Sequence, residues 1–403
     1  MLTKNKRWRL SAKSKFFLRS SFLTTVSASL ILGSIVSFLD FKQPVSAATQ
    51  ANSEIFYKRS IDGGQTFGDF YNISNDAENS GISHVTAENG IVHILWDRDP
   101  QPREALYRRS ADGGLSFETT FNVSSNNGDS SESDLIASGN TLHTVWEEDY
   151  LKLDGNPDPC CSGDEAYYRR SGDSGVSFGT SIDVSNTPSA HSRDPDVAAS
   201  GGLVGVVYED PTPGGDNIFF NRSVDDGLTW SSYINVSNGA GAEPAIAISG
   251  NNVHVVWQSG RYNRSLDGGT AFVGATNLPS GFGTGPQVAA VGSTVHVFGC
   301  SSSGGTSNYV RSLDNGATWG NVVNLGGGCK KPTIAASGAG VYAVWENKST
   351  GEVNYRRSVN NGDSFDPMIN ISNNEGSSSE PSVAIDGTSG YVYVVWYDNT
   401  TPT

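Results

Sequence analysis

The segment Ser60–Phe67 reads SIDGGQTF, and six related segments follow it along the chain. They are SADGGLSF from Ser110, SGDSGVSF from Ser171, SVDDGLTW from Ser223, SLDGGTAF from Ser265, SLDNGATW from Ser312 and SVNNGDSF from Ser358. Successive copies begin 50, 61, 52, 42, 47 and 46 residues apart, which is the usual length of one blade of a β-propeller. The spacing therefore predicts a repeat protein of seven similar units.

The shared pattern is Ser-x-Asp-x-Gly-x-Thr/Ser-aromatic, known as the Asp box and called the box below. Each recurring position has a mechanical reason. The Asp carboxylate accepts hydrogen bonds from turn amides, the glycine adopts a positive φ, and the aromatic ring packs between sheets. Ala271 replaces the hydroxyl residue in the fifth box and Asn360 replaces Asp in the seventh, so we expect those two turns to be slightly weaker.

A second pattern alternates with the box and reads Pro-x-Val-Ala-x-x-Gly, followed after a short gap by Val-x-Val-Val-Trp. Its copies span Ser83–Trp96, Ser133–Trp146, Pro195–Tyr208, Pro244–Trp257, Pro286–Phe298, Pro332–Trp345 and Pro381–Trp396. Alternating valine and aromatic residues bounded by Gly and Asn indicate β-strands, which we name strands A and B of each unit. Strand C ends in Tyr-x-Arg-Ser before the box, and strand D follows the box.

The order of these strands predicts how the fold closes. The chain begins with a C/D pair at Glu54–Ile73 and ends with an A/B pair at Pro381–Tyr397. Joining the two pairs completes a seventh unit and leaves no open sheet edge. We therefore predict an all-β, seven-bladed β-propeller of four-stranded antiparallel blades, closed by pairing of the N- and C-terminal strands.

Residues 1–48 differ in composition from the rest of the 403-residue chain. Eight basic side chains and one acidic side chain flank an uncharged stretch of 20 residues from Ser20 to Leu39, and Val45-Ser46-Ala47 offers small residues to a signal peptidase. This pattern predicts a secretory signal peptide, although the same stretch could also serve as an uncleaved membrane anchor. Both alternatives place the predicted propeller, residues 49–403, outside the cytoplasm, either secreted or on the cell surface.

The predicted propeller is strongly acidic. Residues 49–403 carry 19 basic and 41 acidic side chains, a net charge of −22, compared with −15 for the whole chain. Such a surface repels nucleic acid and anionic membranes and favours cations or basic partners. We therefore exclude nucleic-acid binding and expect no membrane insertion beyond the N-terminal segment.

Strand order also separates the two ends of each unit. The A–B turns and the boxes lie at one end, and the B–C and D–A loops lie at the other. Since a residue with a unique chemical role does not recur in every repeat, we interpret the boxes as framework. The same reasoning assigns a framework role to the arginines of Tyr-x-Arg-Ser, which are Arg59, Arg109, Arg170, Arg222, Arg264, Arg311 and Arg357.

Two sets of acidic residues flank the strands at the end opposite the boxes. The first set follows strand B (Asp97, Glu147, Glu209 and Glu346), and the second opens strand A (Glu132, Asp194, Glu243 and Glu380, with Lys331 as the exception). Because the innermost strands converge on a central channel, both sets are predicted to ring its mouth. One interpretation is a site for a polar ligand or a cation, with Ca²⁺ as the candidate. The alternative is that these carboxylates only bond loop amides.

Residues that break the repeat are the remaining site candidates. The longest insertion runs from Glu147 to Glu165 and carries Tyr150, Cys160 and Cys161. A long loop on a rigid scaffold is a common place for binding. The other irregular residues near this end are Arg98, Arg103, Arg193, Arg261, His84 and Tyr397, whereas His93, His143, His254 and His296 share one strand-B position and are interpreted as structural. Cys300 and Cys329, expected in loops of neighbouring units, join Cys160 and Cys161 as disulfide candidates because exported cysteines are usually oxidised.

The boxes SIDGGQTF, SVDDGLTW and SLDNGATW resemble the neuraminidase repeats of the sialidase superfamily. The resemblance covers nearly all of the chain after the leader. It implies an exo-glycosidase that holds a substrate carboxylate with three arginines and attacks with a tyrosine. The positions that could carry these roles are Arg98, Arg103, Arg193 and Arg261, with Tyr150 or Tyr397 as the nucleophile.

The chain also departs from the family pattern. No Arg-Ile-Pro motif precedes the first box, and seven units are predicted where the family has six blades. The chain resembles seven-bladed photosystem assembly factors and some glucanase modules equally well. Two functions therefore stand side by side. One is a monomeric binding module that recognises a carbohydrate or a surface protein through its acidic face, and the other is a hydrolase of terminal sialic-acid-like sugars.

Overall fold

The computed structural model describes residues 52–99, 101–126, 128–149, 163–187, 191–212, 215–374 and 376–399. All of the described residues belong to one compact unit. The predicted leader, Tyr150, Cys160 and Cys161 lie outside the described residues. Within those ranges the regular secondary structure consists of strands. No described helix is long and apolar enough to cross a membrane.

The strands are numbered in chain order and grouped here by the predicted positions A to D. Strands A are β3 (Asn79–Glu88), β7 (Asp129–Ser138), β11 (Arg193–Ser200), β15 (Ala245–Ser249), β19 (Thr284–Val291), β22 (Val323–Ser337) and β26 (Ser378–Ile385). Strands B are β4 (Ile91–Asp99), β8 (Thr141–Asp149), β12 (Leu203–Asp210), β16 (Asn252–Trp257), β20 (Thr294–Cys300), β23 (Gly340–Asn347) and β27 (Val392–Asp398).

The outer strands are shorter. Strands C are β1 (Glu54–Ser60), β5 (Glu104–Ser110), β9 (Asp164–Ser171), β13 (Asn217–Ser223), β17 (Arg261–Ser265), β21 (Gly305–Ser312) and β24 (Glu352–Ser358). Strands D are β2 (Tyr71–Asn72), β6 (Phe121–Asn122), β10 (Ile182–Asp183), β14 (Ile234–Asn235), β18 (Thr276–Asn277) and β25 (Ile369–Asn370).

These strands form antiparallel sheets, which confirms the predicted all-β class with four-stranded units. Five sheets have four strands in the order A-B-C-D, and the sixth contains β19 to β25 as one seven-stranded sheet. In one four-stranded sheet, β1 near the N-terminus pairs with β27 near the C-terminus, from Glu54 opposite Asp398 to Ser60 opposite Val392. Each strand A contacts two others, because β3, β7, β11, β15, β19, β22 and β26 touch in this order and β26 touches β3.

Strand β22 explains the seven-stranded sheet. Its first residues pair with β21, and its residues from Cys329 to Ser337 pair with β23. The sequence predicts a strand D, a loop and a strand A here. Only the short glycine run Gly326–Gly328 separates the two halves, so they form one continuous strand. Cys300 and Cys329 form a disulfide with a Cα–Cα distance of 5.4 Å. Both cysteines lie buried in strands, which corrects the expectation that they occupy loops.

The box turns are held by their own side chains. In the second box, Asp112 Oδ1 accepts hydrogen bonds from the amides of Leu115 and Ser116 at 3.0 Å each, and Oδ2 accepts one from the Ser116 hydroxyl at 2.6 Å. Asn360 of the seventh box keeps the same geometry, because its Oδ1 accepts from the Ser364 amide at 3.0 Å and its Nδ2 donates to the Ser364 hydroxyl at 2.8 Å. The turns therefore need no ligand to close.

Four buried histidines also serve the framework. His93, His143, His254 and His296 each place Nδ1 2.6 to 2.8 Å from the hydroxyl of a strand-C tyrosine in the same sheet. Burial lowers the pKa of His93 to about 3 and that of the other three to about 4. The rings are therefore neutral at physiological pH and bridge strands B and C.

The box glycine is where one sheet meets the next. Gly64 has a φ of 81° and lies against Tyr355 of β24, whose hydroxyl donates to the Gly64 carbonyl at 2.9 Å. The Phe67 ring packs edge-on against the same tyrosine at 5.1 Å between centroids. A Cβ on Gly64 would overlap the Tyr355 hydroxyl. A Cβ would overlap a tyrosine hydroxyl in the same way at Gly114 (Tyr57), Gly175 (Tyr107), Gly227 (Tyr168), Gly316 (Tyr262) and Gly362 (Tyr309), and it would overlap the ring of Phe220 at Gly269.

Two adjacent glycines allow the steric clash with Tyr355 to be separated from the strain of a non-glycine residue at positive φ. Gly63 has a φ of 70° but open space around its Cα, so Gly63→Ala should cost only about 1 kcal/mol of backbone strain. Gly64→Ala adds a steric clash and should lower the free energy of unfolding by about 2 to 4 kcal/mol. Urea unfolding measures both variants.

Removal of the Tyr355 hydroxyl provides the control for the comparison of the two glycine variants. Tyr355→Phe removes the atom that the new methyl group would overlap. The double variant Gly64→Ala with Tyr355→Phe should therefore recover part of the stability that Gly64→Ala alone loses. Equal losses for the two glycine variants would contradict the proposed contact.

Candidate functional site

The strand-A ends opposite the boxes carry irregular backbone. The pairing with strand B shifts register near the start of β7, β11 and β26, and it shifts after Lys330 within β22. Glu132, Asp194, Lys331 and Glu380 lie in these shifts with φ between 46° and 50°, and Glu243 before β15 has a φ of 53°. An extra residue in a strand re-aims its side chain, and a positive φ is uncommon for residues other than glycine. These five side chains are thereby turned away from the regular pleat.

The redirected side chains line a common cavity. Its volume is about 410 Å³, and its wall includes the carboxylates of Glu132, Asp194, Glu243 and Glu380 together with Lys331. We call these five residues the rim. The cavity lies where the strands A come together, at the end of the sheets away from the boxes. The second acidic set predicted from the sequence is therefore the one that faces an open space.

The charges of the rim act on one another. Lys331 Nζ lies 3.0 Å from Glu380 Oε1, and although burial opposes it, Glu380 with Glu132 and Glu243 raises the pKa of the lysine. Burial and then the neighbouring charge of Asp194 raise the pKa of Glu132, while burial and Glu243 raise that of Asp194. The carboxylates therefore repel one another across the cavity. Lys331 offsets only part of their charge, and Lys330 on the same wall pairs with Glu346 at 3.0 Å.

A second group of polar residues lies on the same wall, two positions further along strand A. His84 Nδ1 is 2.8 Å from Asp134 Oδ1, and the Asp134 and Asp196 side chains are hydrogen bonded to each other. Burial and the adjacent Asp134 raise the pKa of Asp196 well above its usual range, which favours its protonated form. Although burial opposes it, His84 lowers the pKa of Asp134. These opposite directions favour Asp196 as the hydrogen-bond donor and Asp134 as the acceptor.

Asp134 and Asp196 were not identified from the sequence. Their signal is a charged residue where other units have Ala245 or Thr333 at the corresponding position. Both also serve the framework, because Asp134 Oδ2 accepts from the Val197 amide at 3.2 Å and Asp196 Oδ2 accepts from the Ile246 amide at 2.7 Å.

The acidic set that follows strand B lies elsewhere, although the sequence placed both sets in one ring. Asp97, Glu147, Glu209 and Glu346 are not among the residues lining the cavity. Asp97 accepts from the Ser133 hydroxyl at 2.5 Å and Glu346 accepts from the Ser379 hydroxyl, while Glu147 and Glu209 accept from the backbone of Asp194 and Glu243. These carboxylates hold the start of the next strand A and thereby position the rim.

The irregular arginines do not meet at the cavity. Arg98 pairs with Glu78 at 3.0 Å, Arg103 with Asp129 at 2.6 Å and Arg193 with Glu209 at 2.9 Å, and Arg261 donates to Asn277 at 2.7 Å. No arginine is among the described residues that line the cavity, and Tyr397 is not among them either. Each guanidinium has a local partner, so the described structure assembles no three-arginine carboxylate site there.

The described acids do not form a metal site. Within the described ranges, no group of three or more His, Cys, Asp or Glu side chains is placed to hold a metal ion. The rim carboxylates therefore form a charged wall and not a coordination sphere, because Ca²⁺ requires six to eight oxygen ligands at close range.

Comparison with known proteins bears on the fold. No family model and no curated protein matches the chain. Among solved structures, the Hadza microbial sialidase Hz136 gives a TM-score of 0.50 at 13% identity over 67% of this chain and 63% of that chain. A protein of unknown function from Dyadobacter fermentans gives 0.48 at 15% identity, covering 80% and 95%. The Trypanosoma rangeli sialidase in complex with the inhibitor DANA gives 0.42 at 13% identity, covering 82% and 56%.

The first of these likenesses supports a sialidase-like β-propeller fold for this chain. The chain spans less than two thirds of that sialidase's length, at 63%. At this level of identity the similarity concerns the fold alone.

The electrostatics of the site predict an unusual pH dependence of stability. Burial, followed by the charges of Asp164, Asp194 and Glu132, raises the pKa of Glu147 to about 8 from 4.5. The folded chain then keeps a proton that the unfolded chain releases, so the free energy of unfolding falls as pH rises from about 4.5 to 8. In Glu147→Gln this fall should be less steep by up to about 1.4 kcal/mol per pH unit. Urea unfolding at pH 5, 6.5 and 8 measures the slope.

Glu118→Gln is the matched control for this measurement. It removes an exposed carboxylate that pairs with Arg109, and it should leave the pH slope as in the wild-type chain. Identical slopes for the two variants would show that Glu147 is ionised in the folded protein, against the prediction.

Proposed function

We propose that this chain is an exported, seven-bladed β-propeller that binds a carbohydrate or protein ligand through the cavity at its acidic rim. Support for seven blades in a closed ring comes from three observations. The strands A touch in a closed order of seven, β1 pairs with β27, and the first box packs on β24 of the seven-stranded sheet. In this proposal β22 belongs to two neighbouring blades.

Export is part of the same proposal. The basic residues, uncharged stretch and small-residue site within residues 1–48 favour a cleaved signal peptide. The disulfide between Cys300 and Cys329 suits an oxidising compartment. We propose a secreted or cell-surface, monomeric propeller without nucleic-acid partners.

The observation that carries the binding function is the cavity itself. It collects side chains from several sheets, and its rim is built from residues whose backbone departs from regular strand geometry. A concave site on a rigid scaffold with a few convergent polar groups is the usual form of a ligand site. The boxes, in contrast, satisfy their own hydrogen bonds and favour a framework role.

Hydrolysis of a sialic-acid-like sugar is the second candidate. It is favoured by the hydrogen-bonded carboxyl pair of Asp134 and Asp196 at the cavity wall, because a protonated carboxyl can act as a general acid. Against it, the four rim carboxylates would repel an anionic sugar, and no arginine from the described residues reaches the cavity. Binding without hydrolysis is therefore the preferred function.

A paired assay separates the two functions. The full chain, recovered as an exported product, is incubated with a fluorogenic sialoside and, in parallel, applied to an array of glycans and immobilised proteins. We expect no turnover above buffer. We also expect binding that is lost in the triple variant Glu132→Gln, Asp194→Asn, Glu243→Gln, because those side chains line the cavity. Turnover that disappears in Arg193→Ala would contradict the proposal and assign that arginine to an active site.

A further inference from the structure

We propose that the cavity receives the ammonium group of a lysine side chain exposed on a protein partner. This inference rests on the proposed binding function and names its ligand. It follows from the charge of the rim, from unsatisfied hydroxyl groups on the wall and from the position of Lys331.

Among the described residues, three of the rim carboxylates have no cation paired with them. Of the four rim carboxylates, Glu380 is paired with Lys331 at 3.0 Å. No ion pair within 4 Å links Glu132, Asp194 or Glu243 to a cation in the described part of the chain. A carboxylate beside other carboxylates is stabilised by a nearby cation. Three carboxylates facing one cavity therefore favour a cationic ligand over a neutral or anionic one.

Two hydroxyl groups on the cavity wall lack hydrogen-bond partners in the described structure. Ser83 lines the same cavity and is only 1% exposed, yet its hydroxyl has no hydrogen-bond partner among the described residues. Thr333 also lines the wall with an unpartnered Oγ1. Buried hydroxyl groups are normally hydrogen bonded. Both hydroxyl oxygens are fully buried, so one of the three donors of an ammonium group reaches them when the Ser83 or Thr333 side chain rotates toward the cavity.

The rim already holds one ammonium group, that of Lys331. Lys331 reaches Glu380 from the same wall and is stabilised by Glu132 and Glu243 as well. The rim therefore accommodates a primary ammonium on a flexible alkyl stem. A cavity of about 410 Å³ falls within the usual range of ligand sites and leaves room for a second such stem. A calcium ion suits the site less well, because the described acids form no coordination group.

The probe for this proposal is tri-lysine, compared with the same peptide acetylated on its side chains and with tri-arginine. Binding to the full-length exported chain is measured by calorimetry at low ionic strength. We expect tri-lysine to bind about tenfold or more tightly than the acetylated peptide, which corresponds to one desolvated charge contact. Equal affinity for the acetylated peptide, or a preference for tri-arginine, would overturn the assignment.

Variants locate the binding. Glu132→Gln with Asp194→Asn should weaken tri-lysine binding by about tenfold or more. The charge-matched control is Glu118→Gln with Asp363→Asn, which removes two exposed carboxylates near the boxes and should change the affinity by less than about twofold. Lys331→Met removes the competing ammonium and should tighten binding, which keeps the test valid if the acidic double variant fails to fold. Weakening of equal size in both double variants would overturn the proposal in favour of diffuse attraction.

The outcomes distinguish this inference from the proposed function. A glycan that binds in a rim-dependent manner while tri-lysine does not would overturn the lysine assignment and leave the binding function standing. Failure of every ligand on the array to bind in a rim-dependent manner would overturn both.

Discussion

The contact between each box glycine and an aromatic ring of the preceding repeat unit is the interaction on which the rest of the structure depends. A side chain at Gly64 would collide with Tyr355, so this position needs both a positive φ and the absence of a Cβ. The contact recurs from sheet to sheet, and the first box uses it to reach β24 near the end of the chain. Together with the pairing of β1 and β27, it ties residues near the two ends of the described chain into one assembly.

Because the boxes hold one end of the sheets in register, the opposite end is free to vary. There the register shifts place Glu132 and Asp194 at positive φ and direct them to a shared cavity. The carboxylates that follow strand B support this arrangement from behind, as Glu209 does by accepting from the backbone of Glu243. The acidic residues of the repeat thus have two roles. Those that follow strand B stabilise the framework, and those at the start of strand A line the cavity.

The sequence predicted those features that depend on interactions between residues close together in the chain. Box spacing and the valine-rich runs predicted the strands, the four-stranded units and the framework character of His93 and its counterparts. The rim was harder, because a one-residue register shift reverses the direction of a side chain and nothing in the spacing marks where the shift occurs. Arg103 illustrates the other failure. Its irregular position suggested a substrate contact, but Asp129, 26 residues away in the sequence, binds it.

The central claim is that the rim, and not the repeated boxes, is the ligand-binding surface. Carboxyl footprinting with a carbodiimide and mass spectrometry tests it most directly, because it reports on individual acids in the intact chain. With tri-lysine bound, the account predicts slower modification of Glu132, Asp194 and Glu243 and unchanged rates at Glu118 and Asp363. Protection at the box carboxylates, or a uniform change at all exposed acids, would contradict it.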